Sequence, residues 1–510
     1  MQYLMGFVGL AVFVGIGYAL STNRGKVNWR TVGMGIGLQL MLGIVLLKIP
    51  QTADAFEKLT FKVRDFLKLA DIGGSFVFSE ELMAPTFTPG SEFGRVAEIL
   101  QSVQEGEVLQ AEAKQEIIER LSSLKSLEER ADALAAQLDQ QEEPLEYEAC
   151  RALVARLHQL TLSQHRGAGG LGIYVFAFRV APTIIFFSAF ISVLYYLGII
   201  QKIIVGIAFV MRKTMGTSGA ETLSVSANIF VGMTEAPFLI KPFLDKMTYS
   251  EIHSVMVGGF ATIAGGVLAA YIGMGISPTH LIVASVMSAP AALVMAKLMV
   301  PESEHSETAG DAKLPKIHVG ENLVDAAARG TTDGLKLALN VMAMLIAFIA
   351  LIALVDWILG GIDAVVDGRW LGGEAFAVGS GVEYKGWFPG SLRTLFGTVF
   401  APLAWVMGVS WGEAAEVGNL LGTKICVNEF VAYAELSKLI GSGRLSERSI
   451  VIATYALCGF ANFASVGIQI GGISALSPSR RADLAKLGLR AMFGGAFASW
   501  MTATVAGLLL

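Results

Sequence analysis

The sequence predicts an all-α polytopic membrane protein with about eight transmembrane helices, two re-entrant helical hairpins in an inverted repeat, and an inserted polar helical segment. Three observations predict it. The chain is 54% hydrophobic and only 16% charged, with a mean hydropathy of +0.59. Charge-poor apolar runs recur from end to end. Two short polar-tipped segments repeat in the same order in the two halves.

The apolar runs lie at 3–20, 32–47, 174–200, 254–275, 279–296, 335–355, 450–476 and 491–510, each near the roughly 20 residues a spanning helix needs. The first starts without a basic leader region and is followed closely by a second, so it reads as a retained helix rather than a cleaved signal. The loop after it, "STNRGKVNWR", holds Arg24, Lys26 and Arg30 and no acid, which places it in the cytoplasm and both chain termini outside. On the same count, Lys202, Arg212 and Lys213 fall inside, as do Arg480, Arg481 and Lys486. A multi-pass protein of the cytoplasmic (inner) membrane is expected.

Residues 90–166 break the pattern. Acids outnumber bases about two to one there, and Leu124, Leu127, Ala131, Leu134 and Leu138 follow alternating steps of three and four. This reads as an amphipathic helical pair outside the membrane, either packed on itself, paired between subunits, or binding a partner.

Cys150, Cys426 and Cys458 form no C-x-x-C pair, and the six histidines show no ligand spacing, so neither a disulfide framework nor a metal cluster is indicated. The net charge of −5 is uninformative beside the loop distribution, and no nucleic-acid partner is expected. Without H-E-x-x-H or G-x-S-x-G, nothing supplies the nucleophile or metal of an intramembrane enzyme, and the chain is read as no enzyme.

The halves rhyme. "SVSANIFVGMTEAPFLIKPFL", a polar link and a span interrupted by "GGFATIAGG" match "EVGNLLGTKICVNEFVAYAEL", a link and a span interrupted by "CGFANFASVG". Interrupted hydrophobic segments at corresponding positions point to a transporter site at the repeat interface. Segments 214–245 and 411–441 therefore read as re-entrant hairpins, whose irregular tips must line a cavity. Thr234 and Glu235 fall on the first tip and Asn428 and Glu429 on the second, with Thr262, Asn462 and Ser465 on the broken spans. Ionisable groups at membrane depth are functional candidates, against the structural alternative of an ion pair with Lys241 or Lys424. Carboxylates and amides without a basic pocket suit a neutral polyhydroxylated solute. A sugar or nucleobase carrier, or a receptor organised by the acidic segment, are the competing readings.

"GTKICVNEFVAY", "NIFVGMTEAPFLIKPF" and "GFANFASVGIQIGG" together resemble the concentrative nucleoside transporter family, over about 1–85 and 172–510. The resemblance implies a homotrimer with eight spans, two hairpins and interfacial helices. It divides the chain into scaffold helices at 1–89, the acidic insertion at 90–171, a third span at 172–213, and hairpin 1 with its following helices at 214–300. A cytoplasmic loop, scaffold helix and interfacial segment follow at 301–410, then hairpin 2 and its broken helix at 411–476, and a last span at 477–510. The two hairpin regions would be the transport domain, moving as an elevator against the scaffold.

The same resemblance implies that Glu429, Asn462 and Ser465 hold the ribose of a nucleoside with Phe460 nearby. Gly232, Met233, Thr234, Glu235 and Val267 would meet the base. The coupling ion would be held by the Asn228 and Thr262 side chains and the Val231 and Ile263 carbonyls. Sodium is the expected ion, with a proton carried by Glu429 as the alternative, and no bound cofactor is expected. Many members have Gln where Met233 stands. Met offers adaptable apolar surface in place of directional hydrogen bonds, which predicts a preference for purine nucleosides.

Overall fold

The computed structural model describes residues 2–49, 180–308, 320–371 and 388–510, together with short stretches between 52 and 122. Every regular element among them is helical. The chain divides into one unit of Met1–Lys68 with Thr183–Leu510 and another of Leu69–Pro182.

The chain enters through α1 (Gln2–Ala19) and α2 (Trp29–Leu47). Asn28 stops the loop between them by capping α2, its side chain accepting from the Arg30 and Thr31 amides, which satisfies donors that have no partner inside the helix. The second unit contributes α3 (Leu69–Phe78) and α4 (Ala111–Ser122). The rest of the acidic insertion, including the expected face from Leu124 to Leu138, lies outside the described residues.

The expected third span at 174–200 takes a different form. α5 (Ala181–Tyr196) ends in a bend of 76° and α6 (Ile199–Met215) leaves it as a separate helix. Gly198, at φ 74°, makes the corner. Gly216 ends α6 and Ser218 starts α7 (Gly219–Ala227) with a capping box closed by Glu221. After the turn at 228–235 the chain returns as a 3-10 helix, Ala236–Lys246. Pro237 and Pro242 explain that choice, since each lacks an amide and crowds the carbonyl four residues back. Thr248 and Glu251 form a second capping box and start α8 (Tyr249–Ala261). The helix breaks at Thr262 to Ala264, which are extended, and resumes as α9 (Gly265–Gly273).

α10 (Pro278–Met299) and α11 (Leu323–Val365) follow. α11 is 43 residues long and begins well before the apolar run at 335–355 that announced it. α12 (Leu392–Val406), within what reads in sequence as an interfacial segment, turns by 115° into α13 (Trp411–Cys426). The two approach closely because Gly422 has no side chain: a Cβ there would strike the Phe396 ring. Val427 and Asn428 form the second tip, and Asn428 caps α14 (Glu429–Ser442) by accepting from the Val431 amide at 2.9 Å. Asn419 Nδ2 reaches across to Glu435 Oε2 at 3.3 Å, so the arms of this hairpin lie side by side.

The second broken helix is α15 (Glu447–Leu457) and α16 (Phe463–Leu476), and α17 (Arg481–Leu509) closes the chain. Gly459 sits at φ 139° in the second break, against the Phe260 carbonyl. Asn462 caps α16 through the Ser465 amide at 2.8 Å.

Five described helices are long and apolar enough to cross a membrane, and up to seven if each bent pair counts as one span. The α8–α9 pair, α10 and the closing helix are more than four-fifths buried over their apolar windows, whereas Ile349–Trp370 is 6% buried. The broken helix and its neighbours are therefore the core, and α11 is peripheral. The core is not wholly apolar: the buried Gln39 on α2 donates to Thr502 Oγ1 on α17 at 2.7 Å, the kind of polar contact that fixes helix pairs where hydrophobic burial gives no register.

Candidate functional site

Two half-helices, α14 and α16, begin side by side, and each starts with a capping Asn. The unpaired amides of a helix N-terminus carry partial positive charge, and the carboxylate of Glu429, the first residue of α14, lies there. Its Oε2 accepts from Asn462 Nδ2 at 3.1 Å and its Oε1 from the Tyr271 hydroxyl at 3.2 Å. Asn462 caps α16 in the second broken helix, and Tyr271 lies on α9 in the first. One carboxylate thus joins both broken helices. Tyr271 is held by the Tyr433 ring, 4.2 Å away between centroids, and Tyr433 in turn donates to the Thr454 carbonyl at 2.7 Å.

Lys424 is fully enclosed, and its ammonium donates to the Ala456 carbonyl at 2.9 Å. That carbonyl is in the last turn of α15, where acceptors lack intrahelical donors and a cation is favoured. Lys424 therefore fastens hairpin 2 to the break. The expected alternative of an ion pair is not what the structure contains: among the described residues neither Lys424 nor Lys241 lies within 4.0 Å of a carboxylate. Glu235 instead folds over Gly232, where an added Cβ would meet its carboxylate.

A cavity of about 930 Å³ lies between these groups. All nine residues expected at a substrate site line it: Gly232, Met233, Thr234, Glu235, Val267, Glu429, Phe460, Asn462 and Ser465. Asn428 and Val231 line it too. Gly265 donates its amide to the Phe230 carbonyl at 3.2 Å, tying the first tip to the break in the first broken helix.

Of the four residues expected to hold a cation, Asn228, Thr262 and Ile263 lie behind the cavity wall, essentially unexposed. Their oxygens are unspent. Asn228 Nδ2 donates to the Ser224 carbonyl at 3.2 Å, which fixes the amide and leaves Oδ1 enclosed without a partner. Thr262 Oγ1 donates to the Gly258 carbonyl at 2.9 Å and keeps its lone pairs. The neighbouring Ile229 and Phe230 carbonyls are used by Ser285 and Gly265, but those of Val231 and Ile263 accept nothing from the described residues. An enclosed set of oxygens with no donors suits a hard cation, which takes oxygen ligands, and the residues present fit sodium.

The far wall was not foreseen. Ser188, Ser192 and Tyr195 of α5 line the cavity together with Asp333, Lys336 and Asn340 of α11. The last three are spaced by three and four, one face of a helix, and that spacing inside a span-length helix is the signal that would have found them. Tyr271 was also missed, since a lone aromatic in an apolar run reads as core.

Three family models match the chain: "Na+ dependent nucleoside transporter N-terminus" over residues 8–81, "Nucleoside recognition" over 177–278 and "Na+ dependent nucleoside transporter C-terminus" over 280–507. An uncharacterized transporter of Haemophilus influenzae is 46% identical over 345 residues, covering 66% of this chain and 77% of its own length. The chain belongs to the concentrative nucleoside transporter family. Sodium/nucleoside cotransporter 1 of Mus musculus is 36% identical over 523 residues, and cotransporter 2 of Rattus norvegicus is 36% identical over 525. Both matches cover 100% of this chain, which spans 64% and 63% of those relatives' lengths. Among solved structures, CNTnw in an inward-facing substrate-bound state is 34% identical with a TM-score of 0.74, covering 100% of this chain and 98% of that one. A CNTnw variant in an outward-facing state gives a TM-score of 0.75 at the same identity. Membership in this transporter family agrees with the absence of an enzyme motif and with the helical architecture.

Proposed function

We propose that the protein is a sodium-coupled symporter importing nucleosides across the cytoplasmic membrane, with a preference for purines. The observation that carries the reading is one cavity lined both by Glu429, bonded to Asn462 and Tyr271, and by Glu235 of the other tip, beside a set of unspent oxygens. Ribose hydroxyls would donate to Glu429 and exchange hydrogen bonds with Asn462 and Ser465, against Phe460. The base would lie on Gly232, Met233 and Val267 and meet Thr234 and Glu235 at its edge. A sodium ion on Asn228, Val231, Thr262 and Ile263 would order the first tip, because Val231 adjoins Gly232 and Asn228 ends α7. Ion and nucleoside would then bind cooperatively through the same short loop.

Met233 is 8% exposed and packs against Gly259, so it offers apolar contact rather than a hydrogen bond, which favours the larger purine. The hairpins with their broken helices form the moving body in this reading, and α5 and α11 the wall it moves past. The working assembly is a homotrimer in lipid with both chain termini outside the cell.

Uptake of labelled adenosine into proteoliposomes, with an inward sodium gradient and with unlabelled uridine as competitor, tests this. Sodium-driven accumulation resisted weakly by uridine is the expected result. Accumulation driven by a proton gradient and indifferent to sodium would replace the ion, and no accumulation of any nucleoside would overturn the reading.

A further inference from the structure

Ser224, one helical turn before Asn228 on α7, is fully buried, and its Oγ has no hydrogen-bond partner. Several other buried serine and threonine hydroxyls in the described helices are bonded. Thr222, Ser254, Ser288 and Thr502 each donate to the carbonyl four residues back, at 2.6 to 3.1 Å, the usual resting place for a hydroxyl inside a helix. Leaving a hydroxyl unpaired in an apolar interior is unfavourable, so an enclosed one without a partner marks a place where something polar binds.

Its position on the helix brings it beside Asn228. Side chains on a helix lean toward its N-terminus, so the Asn228 amide lies back over Ser224, and its Nδ2 is bonded to the Ser224 carbonyl. Asn228 Oδ1 and Ser224 Oγ are thus two orphaned oxygens one helical turn apart on one face of α7. Both are acceptors, and no cationic side chain is bonded to either. Hard cations gather about six oxygens, and Asn228, Thr262, Val231 and Ile263 supply four.

We propose that Ser224 Oγ is a further ligand of the coupling cation, on the side of the site away from the cavity. The inference rests on the sodium reading above. It makes α7 a two-point grip, at Ser224 and Asn228, so that cation binding holds the last turn of the helix as well as the tip beyond it.

The test uses the purified full-length protein and its Ser224→Ala and Ser224→Thr variants, melted in sodium chloride and in choline chloride, with the sodium dependence of adenosine uptake measured alongside. Wild type melts higher in sodium. Ser224→Ala removes an unpaired hydroxyl, so it melts no lower than wild type in choline. Its sodium-induced rise shrinks, and the sodium concentration for half-maximal uptake increases about tenfold, far more than the adenosine KM at saturating sodium. Ser224→Thr, which keeps the oxygen, stays close to wild type. A Ser224→Ala variant with unaltered sodium dependence, stabilised equally in both salts, would mean that the hydroxyl faces only a buried water, and would overturn the inference alone. Absence of any sodium-induced rise in wild type would overturn the sodium reading and this inference with it.

Discussion

Asn462 Nδ2 donates to Glu429 Oε2 at 3.1 Å, joining the first turn of one half-helix to that of another. Glu429 is 5% exposed and Asn462 2%, so the bond is made where water competes little and a charge-assisted hydrogen bond is strong. The pair presents a substrate with an acceptor already oriented by protein donors. Glu429→Gln keeps the shape and removes the charge. Hydrogen bonds to a charged partner are worth about 1.5–3 kcal/mol, so adenosine binding by calorimetry should weaken by about 10- to 100-fold, while the melting temperature changes little.

Lys424 has a different task. Lys424→Met keeps the apolar stem and strips the Ala456 carbonyl of its donor. An enclosed acceptor left unpaired costs about 1–3 kcal/mol. Thermal unfolding should register that loss of stability, and substrate affinity should fall with it because the break at 458–462 carries Phe460 and Asn462. A variant as stable as wild type would show that the ammonium is not fastening the hairpin.

How much of this was legible beforehand follows from the kind of signal each residue gives. Glu235 and Glu429 stood out because an acid in a short apolar arm has no cheap explanation in a membrane, and the paired order of parts located both tips and both breaks. α6 and α12 were not separated from their surroundings, because their charges and short lengths look like loop and interface when read along the chain. The α11 wall was hidden for another reason: Asp333 precedes the run at 335–355 that marked the span, so its register with Lys336 and Asn340 fell across an assumed boundary. Ser224 gave no signal at all. A serine among small residues becomes informative only when its partners are counted in three dimensions.

Gly259 and Gly467 make a matched pair. A Cβ on Gly259 would collide with the Gln469 amide and press on Met233 Cβ, whereas Gly467 has open space around it. Overpacking of this kind costs about 1–3 kcal/mol, so Gly259→Ala should lower thermal stability and alter base selectivity together. Gly467→Ala, in a helix interior, should be neutral or stabilising by about 0.5–1 kcal/mol.

Met233→Gln tests the purine preference directly. The new amide would stand at the base side of the cavity, and uridine should compete more strongly against adenosine by several-fold. Gln469, whose enclosed Oε1 has no donor, lies close to residue 233, since its Nε2 and Met233 Cβ both border Gly259. Part of the gain should therefore be lost to a Gln–Gln contact, and Met233→Gln with Gln469→Leu should admit uridine better than the single variant. Uridine uptake unmoved by either change would remove Met233 from the account of selectivity.

α11 has a last consequence. At about 1.5 Å per residue its 43 residues reach roughly 65 Å, about twice the depth of a bilayer's hydrocarbon. It must lean or project into water. Its early turns present Asp333, Lys336 and Asn340 to the cavity, and its later ones, from Ile349 onward, are bare of the protein's own packing. One helix thus serves two surroundings: its early turns furnish a cavity wall and its later turns offer an apolar surface that the rest of the described fold leaves uncovered.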